Sequence, residues 1–103
     1  LNDAAEARAL RAALGSALDG VAVTSTKGVT GHMLGAAGAA EAAFSVLALR
    51  DGVVPPTANL EVQDPDIDLD VVAGEARRVP LRCVLSDSFG FGGQNAVLVM
   101  VAP

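Results

Sequence analysis

The amino-acid sequence predicts an α/β fold in which a mixed sheet is flanked by helices. One stretch has the helical spacing of apolar residues, a second is a longer apolar run with a helix stop signal, and short Val-rich runs lie between turn-forming residues. No internal repeat or low-complexity linker divides the 103 residues. A strand, a helix and then a strand pair fit a layered α/β domain, although periodicity alone does not establish the order of the layers.

The first helix is predicted over residues 3–14. Asp3, followed three residues later by Glu6, resembles a capping box, and Gly15 stands where the helix should end. Apolar residues recur at spacings of three and four between these signals, at Ala4, Ala7, Leu10 and Leu14. This segment therefore has one face suited to packing on a neighbour.

A buried strand and a second helix are predicted next. Residues 21–25 form a short run with Val and Thr, bounded by Gly20 and by the turn-prone pair Lys27 and Gly28. A Gly-rich loop then leads into a helix over residues 36–49, with Phe44 among its large apolar residues. The sequence RDG at residues 50–52 ends this helix.

The rest of the chain is predicted to be an irregular segment followed by two strands. Residues 55–78 contain closely spaced prolines and alternating acidic and apolar residues, which favours a surface loop with short extended pieces. The strands are predicted over residues 82–85 and 96–101. Residues 86–95 connect them and include three glycines, a pattern typical of a backbone that needs positive φ or close approach to another group.

Charge and cysteine content exclude several classes of function. The formal net charge is −5, which argues against a nucleic-acid partner because phosphate binding depends on clustered Lys and Arg. The single cysteine, Cys83, excludes an internal disulfide and a thiolate metal cluster, and it fits a reducing compartment. With no secretory signal pattern at the start of the sequence, we expect a cytoplasmic protein.

The composition predicts a thin core. Hydrophobic residues make up 51% of the chain, but aromatic residues make up only 3%, with no Trp or Tyr. The interior must therefore be built from Ala, Val and Leu, with Gly at close contacts. A small unit of this kind covers its faces poorly, so we expect it to depend on a neighbouring segment or subunit and to be a piece of something larger.

One apolar stretch, residues 29–49, is long enough to be considered as a membrane span and contains a Gly-x-x-x-Gly pattern. It also contains Glu41, whose carboxylate is costly in lipid. Its Gly-rich first third favours a turn that leads into a helix. We therefore predict a buried helix and no membrane partner.

The acidic run at residues 64–70 matches part of a calcium-binding loop. Asp64, Asp66 and Asp68 fall at loop positions one, three and five, and Glu75 falls at position twelve. Position six is Leu69, where an EF-hand loop needs glycine for its sharp turn. A solvated turn is therefore favoured over a metal site.

Other residues were considered for cofactor binding or catalysis on their residue types alone. The glycines at residues 28, 31, 35 and 38 match neither common phosphate-binding pattern, so no cofactor is expected. Cys83 lies in a predicted strand and is interpreted as a small core residue. Lys27, His32 and Glu41 fall within fifteen residues of one another, although a lone histidine is more often structural than catalytic.

Two long motifs resemble the β-ketoacyl synthase family. Residues 25–41, STKGVTGHMLGAAGAAE, resemble its lysine-histidine motif, and residues 88–95, SFGFGGQN, resemble its Gly-Phe-Gly-Gly motif. Residues 50–60, RDGVVPPTANL, resemble the family's connecting segment. The resemblance covers essentially the whole chain and is strongest for synthase II of dissociated bacterial systems. Residues 1–103 are therefore interpreted as the C-terminal part of one β-ketoacyl synthase domain.

This resemblance implies a thiolase-like layered fold, a homodimer and a Cys-His-His active site. The implied activity is the decarboxylative condensation of malonyl and acyl groups, carried by acyl carrier protein, in fatty acid chain elongation. It needs no cofactor. The nucleophilic Cys and the first catalytic His would lie upstream of Leu1, so the chain alone is expected to be inactive.

The resemblance also implies roles for individual residues. His32 resembles the second catalytic His, which donates an N–H to the malonyl thioester oxygen as the enolate forms. Lys27 would form an ion pair with Glu41 that fixes the loop, and the backbone N–H of Phe91 would donate in the other oxyanion hole. The malonyl-binding residues would be Phe89, Gly90, Phe91 and Gly92.

One departure and two alternatives remain open. Asp87 stands where the family usually has Asn, which changes the charge near Phe89. One alternative is a non-catalytic subunit like the chain-length factor of polyketide systems, which keeps the fold without the Cys. The other is an interaction module. Lys27, His32 and Glu41 occurring together favour the enzyme.

Overall fold

The computed structural model describes residues 2–103, which form helices around short strands and one longer β-ribbon. The helices are α1 (Asn2–Leu14), α2 (Lys27–Thr30) and α3 (Ala37–Asp51), with 3₁₀ turns at Gly15–Gly20, Leu34–Ala36 and Phe91–Gly93. The strands are β1 (Ala22–Val23), β2 (Val53–Val54), β3 (Asp70–Val71), β4 (Arg77–Arg78), β5 (Cys83–Phe89) and β6 (Asn95–Val101).

Helix α1 confirms the first predicted helix, but its start differs from the predicted capping box. The helix includes Asn2, so Asp3 lies inside the first turn rather than before it. The Glu6 carboxyl interacts with Asp87 of β5 instead of serving a cap. Leu1 lies outside the described residues. The predicted end is confirmed, because α1 gives way to a 3₁₀ turn at Gly15, which has φ 56°.

Strand β1 is shorter than predicted because its last residues bond to a loop. Ala22 and Val23 pair in parallel with β3, and Val23 O accepts a hydrogen bond from the N–H of Val72 at 2.9 Å. The Thr24 hydroxyl then donates to Pro55 O at 2.6 Å. The predicted loop with short extended pieces is confirmed by β3 and β4, and β3 pairs with the strand that precedes the Gly-rich segment. Strand β2 lies just before the predicted loop.

Helix α3 confirms the second predicted helix and runs two residues further. Gly52 ends it in the left-handed conformation at φ 64°, where its N–H donates to Ala48 O at 2.8 Å. The one-turn helix α2 lies within the segment predicted as a loop. Helix α3 packs on β5, and a Cβ added at Gly38 would lie 3.6 Å from Ser88 Oγ.

Strands β5 and β6 form an antiparallel ribbon that runs from the pair Cys83 and Val101 to the pair Phe89 and Asn95. Strand β5 extends four residues beyond the prediction, through a polar stretch in which Ser86 is buried. Side chains of the opposite face are exposed: Cys83, Leu85, Val97, Val99 and Val101. Asp87 lies on the same face and is half-buried, so this face is covered at Asp87 but open toward Cys83. The interpretation of Cys83 as a core residue is therefore wrong, because no segment of residues 2–103 covers its end of the face.

The core is thin, as the composition predicts. Within the described residues, the buried apolar side chains are Ala7, Leu18, Ala37, Val54 and Val72. Large apolar side chains are left exposed on α3 and on the ribbon. No helix in residues 2–103 is long and apolar enough to cross a membrane.

Gly28 provides a test of how tightly the Gly-rich segment is held. A Cβ at this position would lie 2.4 Å from the backbone O of Ala58, so Gly28→Ala must push two backbone segments apart. We expect a loss of about 1 to 3 kcal/mol in the free energy of unfolding, measured in urea. Gly35→Ala is the matched control because a Cβ there meets no atom within 4 Å. Equal stabilities of the two variants would contradict this contact.

Candidate active site

An ion pair closes the segment between α2 and α3. The Lys27 ammonium contacts the Glu41 carboxylate, and the Glu41 side chain is only 17% exposed. Lys27 is the first residue of α2, whereas Glu41 lies in the second turn of α3. The pair therefore fixes the two ends of the loop that carries His32.

A backbone hydrogen bond within this loop fixes the tautomer of a neutral His32 ring. Its Nδ1 accepts a hydrogen bond from the backbone N–H of Leu34 at 3.0 Å. A neutral imidazole that accepts at Nδ1 carries its proton on Nε2. Leu34 has φ 51°, an uncommon conformation for a residue other than glycine. The strained backbone at Leu34 thus orients the ring. The Nε2–H of His32 remains as a donor at an exposed position.

A second loop holds this segment from outside. The Asn59 side-chain amide donates to Gly28 O at 3.1 Å, and Asn59 itself has φ 66°. Asn tolerates this left-handed conformation better than most residues. Sequence reasoning quoted Asn59 within the connecting segment but gave it no role. The contact of Asn59 joins residues 31 positions apart and depends on the fold, whereas the contact of Leu34 with His32 is local.

The glycine-rich turn after β5 presents its backbone openly. The N–H of Gly90 donates to Gln94 O at 2.7 Å, and a Cβ at Gly90 would lie only 2.9 Å from that oxygen. Gly92 and Gly93 follow with φ 76° and 77°. The N–H of Phe91, which begins the 3₁₀ turn, makes none of the loop hydrogen bonds found among residues 2–103. It is therefore available to a ligand.

The aromatic rings of this turn differ in their surroundings. Phe89, at the end of β5, is 39% exposed, and Phe91 is 96% exposed. A pocket lined by Phe91 would need another wall from outside residues 2–103. Thus the structure brings Lys27 and Glu41 into contact, and His32 lies in the loop between them along the chain. The residues around Phe91 lie on a separate turn.

A pair of carboxyl groups lies beside the ion pair and was not predicted. Asp87 has a buried Oδ2 with no hydrogen-bond partner among the described residues. The pKa of Glu6 is raised to about 7, first by burial and then by the charge and hydrogen bonding of Asp87, with a smaller effect from Asp3. Lys27 acts in the opposite direction and lowers the pKa of Glu6.

Comparison with known proteins identifies the family to which this chain belongs. A model described as "Beta-ketoacyl synthase, C-terminal domain" matches residues 1–61, more than half of the chain. The chain therefore belongs to the β-ketoacyl synthase family.

Among its relatives is a 3-oxoacyl-[acyl-carrier-protein] synthase 2 of Coxiella burnetii, 54% identical over 98 residues that cover 95% of this chain and 24% of that protein. The protein of the same name from Synechocystis sp. is 50% identical over 97 residues, 94% of this chain and 23% of the relative. The chain thus spans about a quarter of the length of these relatives.

Two solved structures share the fold. One, AntDE:AntF, is a type II PKS acyl-carrier protein in complex with its ketosynthase bound to the hexaketide. It is 37% identical with a TM-score of 0.91, over 95% of this chain and 24% of that one. The ishigamide ketosynthase/chain length factor is 36% identical with a TM-score of 0.88, over 99% and 25%. The expected thiolase-like fold is confirmed.

A double-mutant cycle tests the ion pair between α2 and α3. Lys27→Met should lower the free energy of unfolding by about 1 to 3 kcal/mol, because it leaves the mostly buried Glu41 carboxylate without its partner. Adding Glu41→Gln should recover part of that loss, since the unpaired charge is removed. Urea unfolding measures both changes.

Arg50→Met is the matched control for this cycle, because Arg50 pairs with Asp51 at the surface, where both side chains are about half exposed or more. It should change stability little. Additive effects of Lys27→Met and Glu41→Gln would show that the two charges are not coupled.

Proposed function

We propose that this chain acts as the C-terminal part of a β-ketoacyl-acyl-carrier-protein synthase, which elongates fatty acid chains by decarboxylative condensation. The observation that carries the proposal is His32, whose Nδ1 is occupied by Leu34 so that its Nε2–H is left as a donor. The shared name of the two relatives supports the pathway and the synthase II type.

The proposed domain includes all of residues 1–103. The family model matches residues 1–61, and the relatives align with 94% or more of the chain, which supports residues beyond 61 as part of the same domain. A nucleophilic Cys and a first catalytic His would come from outside this sequence. Cys83 is not proposed as the nucleophile, because it lies on the ribbon away from the turn that carries Phe91.

In the proposed reaction, the outside Cys thiolate first attacks the acyl thioester of the carrier; a new thioester forms on the Cys, the old thioester bond breaks, and the carrier thiolate leaves. The bond between the malonyl α-carbon and its carboxylate then breaks, carbon dioxide leaves, and the electron pair forms an enolate. That enolate attacks the acyl carbonyl, a carbon-carbon bond forms, and the Cys thiolate leaves. Negative charge appears in turn on the malonyl thioester oxygen and on the acyl carbonyl oxygen.

His32 and the Phe91 backbone are proposed to stabilise these two charges. The Nε2–H of His32 would donate to the malonyl thioester oxygen as it becomes an enolate. The N–H of Phe91 would donate to the acyl oxygen, with access provided by Gly90 and Gly92. The ring of Phe89 would line the malonyl site, and the exposed ring of Phe91 would form a gate to it.

The ion pair of Lys27 and Glu41 is proposed as a positioning device for this chemistry. It holds both ends of the His32 loop, so the Nε2–H of His32 is already positioned where the enolate charge would develop. The Asn59 amide supports the same turn from the other side.

Acyl carrier protein is the proposed partner, bearing the acyl and malonyl groups. The complex of a related ketosynthase with an acyl-carrier protein supports this choice. We also propose a homodimer, since the exposed apolar face of the ribbon must be covered by another part of the protein or another copy. A cytoplasmic location is proposed from the single unpaired cysteine.

A non-catalytic chain-length-factor-like subunit is the second candidate. The similarity to the ishigamide ketosynthase/chain length factor favours it. The two candidates differ in one measurement: incubation of the full-length protein with acyl carrier substrate and mass spectrometry of its cysteines. A catalytic synthase acquires a covalent acyl group on an upstream Cys, whereas the alternative acquires none.

Substitution of His32 in the full-length protein tests the proposed enolate donor. His32→Ala should lower carbon dioxide release from malonyl carrier protein roughly 100- to 1,000-fold, the range expected for loss of one oxyanion donor. Acyl transfer to the upstream Cys should persist, since that step uses the thiolate and the Phe91 N–H. Both half-reactions are measured on the same preparation.

His32→Gln is the matched control because it keeps an N–H donor in a side chain of similar reach. It should retain more decarboxylation than His32→Ala. If His32→Ala abolished acylation but spared carbon dioxide release, the histidine would instead activate the nucleophile.

A further inference from the structure

We propose that Glu6 and Asp87 share a single proton at neutral pH. With this proton in place, Glu6 does not compete with Glu41 for the Lys27 ammonium. Both residues would then act as positioning residues for the His32 loop, an effect on catalysis that rests on the proposed function. The shared proton itself does not depend on that function.

The first observation is the environment of Asp87. This residue lies in β5, two positions before Phe89, and its Oδ2 is buried without a hydrogen-bond donor among residues 2–103. A buried polar atom without a partner is costly, and an ionised carboxylate can only accept. The residue that satisfies this oxygen must therefore supply a hydrogen.

Glu6 is the group placed to supply it. Its side chain extends from the half-buried part of α1 and lies close enough to Asp87 for their side chains to hydrogen-bond. Two ionised carboxylates cannot form that bond, because neither has a donor. With one proton, Glu6 becomes a donor and Asp87 an acceptor, and the buried Oδ2 of Asp87 gains a hydrogen bond. The raised pKa of Glu6, about 7, agrees with a proton retained there.

The charges around this pair explain why the proton matters to the site. Asp3 faces Glu6 from the same helix and raises its pKa further, whereas Lys27 faces it from α2 and lowers its pKa. Lys27 is also the partner of Glu41 on α3. If Glu6 ionises, two carboxylates on different helices attract one ammonium. A protonated Glu6 removes this competition and leaves the ion pair that closes the His32 loop.

Stability should therefore depend on pH in a stated direction. The pKa of Glu6 is higher in the folded protein, about 7, than its ordinary value of 4.5, so the folded state binds the proton more tightly. Its contribution is fully present below about pH 4.5 and is lost as the pH rises through about 7. Within this window the unfolding equilibrium constant should rise by up to about tenfold per pH unit, the value for one proton.

The experiment compares urea unfolding of the full-length protein and two variants from pH 5 to pH 9. Glu6→Gln keeps an N–H donor toward Asp87 and cannot ionise, so it should lose the part of the pH dependence that this one proton causes and exceed the parent in stability at pH 8. Asp87→Asn should weaken the dependence, since it removes the neighbouring charge. Glu75→Gln, the same change at an exposed position, is the matched control and should follow the parent curve.

A condensation assay over the same pH range tests the effect on the site. The parent rate should fall above pH 7, and Glu6→Gln should lack this fall. Identical pH profiles of stability for the parent and Glu6→Gln would overturn the shared proton. Identical rate profiles, with the stability difference present, would overturn the positioning role alone. Absence of any condensation by the parent would refute the proposed function. The shared proton would then be tested by the stability measurement alone.

Discussion

The ion pair between Lys27 and Glu41 is the constraint on which the site depends. Helix α2 has only four residues and cannot be stable by its own hydrogen bonds. The conformational entropy lost in nucleating a helix exceeds the stabilisation from the hydrogen bonds of one turn. It is held by the charge of Glu41, by the close approach of Gly28 to Ala58 and by the amide of Asn59. These three contacts come from different segments, so the His32 loop has its shape only when all of them are assembled.

The two motifs would supply the donors of the proposed reaction in different ways. Before substrate binds, the first orients a side-chain donor, by tying one nitrogen of His32 to a strained residue. The second exposes a backbone donor, because Phe91 lies between Gly90 and Gly92, and Gly92 and Gly93 adopt left-handed angles. In both cases backbone conformation fixes the donor: the conformation is uncommon for Leu34, whereas glycine adopts it readily. Groups fixed in this way need little rearrangement when charge develops.

The two long helices were predictable because their signals are local. The spacing of Leu10 and Leu14 and the stop at Gly52 predict α1 and α3 from the sequence alone. Strand β5 was predicted too short, because Ser86 and Ser88 appear polar although their face packs toward α3. Burial of that face is a tertiary property that no local pattern contains.

The candidate residues of the site were also found from sequence, but through family resemblance rather than physical reasoning. Residue types suggested only that His32 was unusual, and a structural histidine was the better interpretation. The carboxyl pair could not be found, because Glu6 and Asp87 are separated by most of the chain and Glu6 had a local explanation as part of a capping box. Long-range contacts between like charges leave no periodic signal.

The β5–β6 ribbon has a consequence for how such a protein matures. A two-stranded ribbon with an uncovered apolar face is marginal in water, and β6 pairs with β5 alone among the described strands. Until other segments cover that face, its register is weakly held and its free edge invites pairing with other chains. The turn that carries the proposed Phe91 donor is the hairpin end of this ribbon. Competence for chemistry would then arise late in biogenesis, at the step that also removes the aggregation hazard.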